Sequence, residues 1–115
     1  MKTESKHITL DMWGVKPTLC NDLEFCSSAM KKAILVSEVT MISEIKHKFI
    51  PQGLTVLALL SESHMSIHTY PEHGYIAVDL FTCGERAVPE EGIEKILELF
   101  SPQAHKLTTS KRGIQ

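Results

Sequence analysis

Tyr75-Ile76-Ala77-Val78-Asp79-Leu80-Phe81-Thr82-Cys83 alternates over its whole length. Successive side chains of an extended chain point to opposite sides, so Ile76, Val78 and Leu80 share one face of a strand and Ala77, Asp79, Phe81 and Cys83 the other. The first face suits a core. The second, with an acid, an aromatic ring and a thiol, is left for solvent, a partner or a substrate.

Upstream lies Ser61-Glu62-Ser63-His64-Met65-Ser66-Ile67-His68-Thr69-Tyr70-Pro71-Glu72-His73-Gly74, the densest run of reactive side chains in the chain. Met65 and Ile67 alternate with His64, Ser66 and His68, which predicts a second strand with two imidazoles and a hydroxyl on one face. Before it, Leu54 to Leu60 reads as a strand apolar on both faces, hence central. Val39 to Phe49 is rich in β-branched residues and ends at Pro51-Gln52-Gly53, a strand followed by a turn. Asn21, with Glu24 three residues on, has the form of a helix N-cap and its box partner. Leu23, Cys26, Met30, Ala33 and Ile34 then recur at helical spacing to about Ser37. His7 to Trp13 alternates with Ile8, Leu10 and Met12 inward.

Downstream, Pro89-Glu90-Glu91 opens a second helix, with proline tolerated at the first position and acids favourable at the positive end. Ile93, Ile96, Leu97 and Phe100 supply its buried face, Pro102 stops it, and Ala104 to Thr109 forms a short last strand. The order predicts an α+β fold, a two-layer sandwich of a mainly antiparallel sheet with two helices on one face.

The chain has 115 residues, which fits one domain spanning 1–115. A domain of this size leaves roughly a third of its unfolded surface exposed, so a second copy covering one face is expected. Twelve basic against 14 acidic residues, a net charge of −2 and no stripe of Lys or Arg argue against nucleic-acid or membrane binding. The longest apolar run, Val56 to Leu60, is far short of the roughly 20 residues that span a bilayer. No secretory core follows the N-terminus. Cys20, Cys26 and Cys83 form no CxxC pair, which fits reduced thiols. Together these features predict a cytoplasmic protein.

The polar face of residues 63–70 admits several readings, among them a merely solvated face. A metal site would draw on His64, His68 and His73, but a four-residue spacing suits a helix and this stretch alternates as a strand, so no metal is expected. A hydrolase would pair Ser63 or Ser66 with a histidine, yet there is no G-x-S-x-G elbow. In the third reading a serine hydroxyl attacks the carbonyl of the residue before it.

Glu62-Ser63-His64, then Ile67-His68-Thr69, Pro71-Glu72, Gly74-Tyr75 and Asp79-Leu80-Phe81-Thr82-Cys83-Gly84, closely resembles the short prokaryotic S-adenosylmethionine decarboxylase proenzymes. The resemblance is strongest over residues 53–85 and extends more weakly upstream, including Lys48-Phe49-Ile50-Pro51. It implies self-cleavage between Glu62 and Ser63 into a beta chain, 1–62, and an alpha chain, 63–115. Ser63 would become a covalent pyruvoyl group, the modified residue that forms a Schiff base with the substrate amine. His68 matches the histidine that moves protons during processing. Thr55 stands where similar sequences place a processing serine, keeping the hydroxyl and adding a methyl. Cys83 matches the donor that protonates the substrate carbon after carbon dioxide leaves; protonation on the cofactor would instead convert it to alanine. Phe49 and Tyr70, the latter a tryptophan in many relatives, would sandwich adenine, with Glu72 on the ribose hydroxyls. Asp79 receives no role.

The implied activity is that of a carboxy-lyase making the aminopropyl donor for spermidine biosynthesis, working as a homodimer of processed protomers. Two alternatives stay open at this point: a pyruvoyl-dependent arginine or ornithine decarboxylase of the same family, and a non-catalytic subunit or binding module. Retention of Ser63, His68 and Cys83 together argues against the second.

Overall fold

The structure, a computed structural model, describes residues 3–61 and 63–115. Among these, the strands are β1 (Ser5–Trp13), β2 (Met41–Lys48), β3 (Leu54–Leu60), β4 (Ser63–Tyr70), β5 (Tyr75–Cys83) and β6 (Ala104–Arg112). The α-helices are α1 (Pro17–Cys20), α2 (Leu23–Val36) and α3 (Pro89–Phe100). The strands form one sheet in the order β2-β3-β4-β5-β1-β6, every neighbouring pair antiparallel. The expected α+β sandwich is what the chain adopts.

Period-two alternation divides the sheet cleanly. Ile8, Leu10 and Met12 of β1, Val56 and Ala58 of β3, Met65 and Ile67 of β4, and Ile76, Val78 and Leu80 of β5 are all buried on the helix side. Met30, Ala33 and Ile34 of α2 and Ile93, Ile96 and Phe100 of α3 close over them in one continuous core. Each Val, Leu, Ile, Met or Phe among them contributes roughly 1.5–3 kcal/mol when fully buried. Among the described residues no helix packs on the opposite face.

Several local expectations are corrected. The N-cap of α2 is Asp22, whose carboxylate accepts from the Phe25 amide at 2.9 Å. Asn21 instead accepts from the Gly53 amide at 3.1 Å, tying the helix start to the β2–β3 turn. A short helix, α1, precedes α2; it opens on Pro17, whose ring suits a first helical position. β2 is shorter than the expected span, with a register shift between Met41 and Ser43, and β6 is longer, exposed along its full length. β3 is next to the edge strand, and its outward Leu57 and Leu59 are exposed rather than sandwiched.

β3 ends at Leu60 and β4 starts at Ser63, and these two residues are cross-strand partners. Only residues 61 and 62 separate the two strands in sequence. Glu62 lies outside the described residues. At the far end of β4 the chain turns through Pro71–His73 and Gly74, whose φ of +59° is left-handed and whose missing side chain lets the Val15 carbonyl approach.

Candidate active site

The open face carries the chemistry, and the register of β3 on β4 decides which groups meet. Thr55 is the partner of His68, and the Thr55 hydroxyl lies 3.0 Å from His68 Nδ1. A hydrogen bond here fixes the ring plane and commits Nδ1, so this threonine is more than a β-branched filler. Phe49, just past β2, is half exposed and hence not a core aromatic. It joins Thr55, His68, Tyr70 and Glu72 in lining one cavity of about 330 Å³. Five of the expected residues are thus brought together.

Ser63 and Cys83 are elsewhere. Ser63 is nearly buried, and its hydroxyl donates to the carbonyl of Ser61 across the hairpin turn at 3.1 Å. Its side chain falls on the helix-side parity of β4, with Met65 and Ile67, whereas His64, Ser66 and His68 face outward. Five residues at about 3.3 Å each separate Ser63 from His68 by about 17 Å along the strand. Cys83 lies at the Ser63 end, because His64 pairs with Phe81 and β5 runs on from there past the hairpin. Cys83 is partly exposed, while Cys20 and Cys26 are buried. Burial raises the thiols of both, that of Cys26 to about 12, so neither ionises near neutrality.

The Ser63 end also holds groups the sequence did not mark as a set. His7, Phe81 and His64 are in one cross-strand row, with His64 stacked on Phe81 at 5.6 Å and His7 edge-on at 5.8 Å. Asp79 lies 2.7 Å from His7 Nε2 and 3.6 Å from His64 Nε2, and the Arg112 guanidinium sits over Phe81. The signal was present as strand parity, but pairing β1 with β5 joins residues 72 apart in sequence. Ser63, His64, Phe81 and Arg112 border a second cavity, of about 450 Å³. Among the described residues no group of three His, Cys, Asp or Glu side chains is arranged to hold a metal ion. His64 and His68, four apart on β4, are separated by about 13 Å. No helix among the described residues is long and apolar enough to cross a membrane.

The family model described as S-adenosylmethionine decarboxylase matches residues 6–113. The chain belongs to the S-adenosylmethionine decarboxylase family. It is 43% identical over 114 residues to an S-adenosylmethionine decarboxylase proenzyme of Methanococcus maripaludis, covering 99% of this chain and 93% of the relative. A proenzyme of the same description from Brevibacillus brevis is 42% identical, covering 97% and 84%. The crystal structure of the adenosylmethionine decarboxylase from Aquifex aeolicus superposes with a TM-score of 0.91 at 32% identity, covering all of this chain and 95% of that one. Family membership accounts for the wholly antiparallel sheet with helices on a single side.

Proposed function

We propose that this chain is a proenzyme that cuts its own backbone between Glu62 and Ser63 and, once processed, decarboxylates S-adenosylmethionine to the aminopropyl donor used in spermidine biosynthesis. The observation that carries the reading is Ser63 at the head of β4, its hydroxyl turned back onto the carbonyl of Ser61. In the proposed first step this hydroxyl adds to the carbonyl carbon of the preceding residue, Glu62. The acyl group then passes from nitrogen to oxygen, and elimination releases the upstream chain as a carboxylate and leaves a dehydroalanine; this tautomerises to an imine, which water hydrolyses with loss of ammonia to a pyruvoyl group at position 63.

The residues around position 63 fit such a group. It would border the cavity that Ser63 shares with His64 and Phe81, with Cys83 two residues beyond Phe81 on the same face of β5. Bound there, it supplies a carbonyl that condenses with an α-amine and takes up electrons as carbon dioxide departs. Cys83 delivers the proton to the substrate carbon. Thr55 orients the His68 ring, leaving Nε2 for proton exchange during processing, a role for which histidine suits neutral pH. Phe49 and Tyr70 offer ring faces for adenine and Glu72 an acceptor for ribose hydroxyls, which favours a nucleoside substrate over arginine or ornithine.

The 17 Å between the two ends argues for a homodimer. Rotation about a two-fold axis lying between two facing sheets and across their strands sets the Ser63 end of one chain over the His68 end of the other. Exposed Ile45, Leu57 and Leu59 on that face give it an apolar patch to bury.

Cleavage would not release the pieces. Residues 1–62 supply β1, β2 and β3, while 63–115 supply β4, β5 and β6, and β1 is hydrogen-bonded between β5 and β6. Denaturing electrophoresis and mass spectrometry of the purified protein should give fragments of 62 and 53 residues, the smaller closed to N-terminal sequencing, whereas native gel filtration shows them together. Ser63→Ala should stay whole and inactive. A wild-type chain that remains intact with no carbonyl reactive to hydrazines overturns the proposal.

A further inference from the structure

Tyr70 has a second aromatic neighbour besides the cavity it lines. On the adjacent strand its cross-strand partner Tyr75 stacks on it, with centroids 5.5 Å apart and planes inclined by 29°. Trp13 of β1, the chain's sole tryptophan, stacks on Tyr75 in turn at 5.8 Å and the same inclination. Three rings from three neighbouring strands thus form one row across the open face. Tyr70 lines the Phe49–Glu72 cavity and Tyr75 does not, so Tyr75 backs Tyr70 on the side away from the cavity.

The middle ring is anchored. Its hydroxyl donates to the Asp11 carboxylate on the neighbouring strand, and that bond is the main reason its phenol is pushed up to about 12. The hydroxyl therefore keeps its proton, and remains a donor, throughout the physiological range. Tyr70, by contrast, is half exposed at a strand end and contributes only its ring to the stack. A side chain in that position loses rotamer freedom when a ligand stacks on it, unless its ring is already held.

We propose that Tyr75, clamped between Trp13 and Asp11, is a positioning residue that presets the Tyr70 ring to receive the adenine of the substrate. The inference rests on the reading of Tyr70 as an adenine platform. It assigns Tyr75 and Asp11 no contact with the reacting atoms. Their removal should therefore weaken binding of any adenine nucleoside and raise KM while leaving kcat nearly unchanged.

The test uses the full-length processed protein and 5′-methylthioadenosine, an adenine nucleoside with no amine to condense with a carbonyl. Binding is measured by calorimetry and by the emission of Trp13, alongside steady-state kinetics and thermal melting. Aromatic stacking and side-chain ordering of the usual size predict that Tyr75→Leu weakens the nucleoside about tenfold and raises KM by the same factor. Asp11→Asn should weaken it by about threefold, and Tyr75→Phe, which keeps the ring, by no more than that. Tyr70→Ala serves as the reference. If Tyr70→Ala loses the nucleoside while folded Tyr75→Leu and Asp11→Asn bind as wild type, Tyr75 is packing alone and the inference fails with the platform intact. If Tyr70→Ala itself binds as wild type, the platform reading fails and carries this one with it. A loss in Tyr75→Leu that falls on kcat rather than KM also overturns the assignment.

Discussion

His68 and Cys83 lie toward opposite ends of the open face, and in the proposed chemistry they act at different stages. His68, hydrogen-bonded through Nδ1 to Thr55, serves the acyl shift and elimination; Cys83 serves only after carbon dioxide has left. His68→Ala should slow self-cleavage by roughly 10²- to 10⁴-fold, the usual worth of a positioned proton carrier. Thr55→Val should slow it by roughly 100-fold, whereas Thr55→Ser keeps the hydroxyl and should process nearly normally. Cys83→Ala should cleave and then turn over poorly, losing activity with time as protonation at the wrong carbon leaves alanine at position 63. Mass spectrometry of the 53-residue fragment before and after exposure to substrate reads that conversion directly. A Cys83→Ala enzyme with wild-type turnover and a stable fragment would make Cys83 a packing residue.

The elements that hold these residues depend on close approach between α2 and α3. Gly92 sits inside α3, where glycine costs about 1 kcal/mol relative to alanine, so propensity alone favours Gly92→Ala. A Cβ there would lie 2.2 Å from the Ser37 hydroxyl and 2.9 Å from the Ala33 carbonyl. Ser37 is fully buried and donates to that same carbonyl at 2.7 Å, so it cannot step aside without breaking a buried bond. A contact this short falls toward the upper end of the roughly 1–3 kcal/mol that crowding costs, which leaves about 1–2 kcal/mol after the helix gain. The substitution should therefore lower Tm by roughly 5 °C or more in calorimetry, and an unchanged or higher Tm would show that the helices have room to part. Contacts of this sort mark where sequence reading stops. Strand alternation at 7–13, 63–70 and 75–83 revealed which residues share a face, since parity is local. It did not reveal that Asp22 rather than Asn21 caps α2, because both side chains can cap and the choice is made by Gly53, 32 residues from Asn21. α1 has four residues, too few for a period, and β6 buries no side chain, so its extent left no pattern. Thr55 against His68, and His7 against Asp79, depended on register that only the assembled sheet fixes.

At the scale of the whole molecule, the residues proposed to act together lie toward two ends of one chain's sheet. Ser63 and Cys83 occupy one end of the sheet, and Thr55, His68, Phe49, Tyr70 and Glu72 the other, with about 17 Å of β4 between. Moving a strand inside a six-stranded antiparallel sheet would break two ladders at once. In the proposed homodimer, a second copy set face to face with reversed strands brings the Ser63 end of one chain over the His68 end of the other. Such a composite site makes a prediction that a site within one chain does not. Ser63→Ala and His68→Ala chains, each unable to process alone, should restore cleavage when co-expressed with different affinity tags and isolated as the mixed dimer. One of its two sites would then pair an intact Ser63 with an intact His68 from the other chain, while the second site lacks both. Cleavage should reach at most half of the chains, and the cut chains should all carry His68→Ala, because only those retain the nucleophile. Mixed dimers that stay whole would place Ser63 and His68 of one chain in the same site, requiring the hairpin end to travel the length of β4. A species that sediments only as a monomer at micromolar concentration while still cleaving would rule out the composite site altogether.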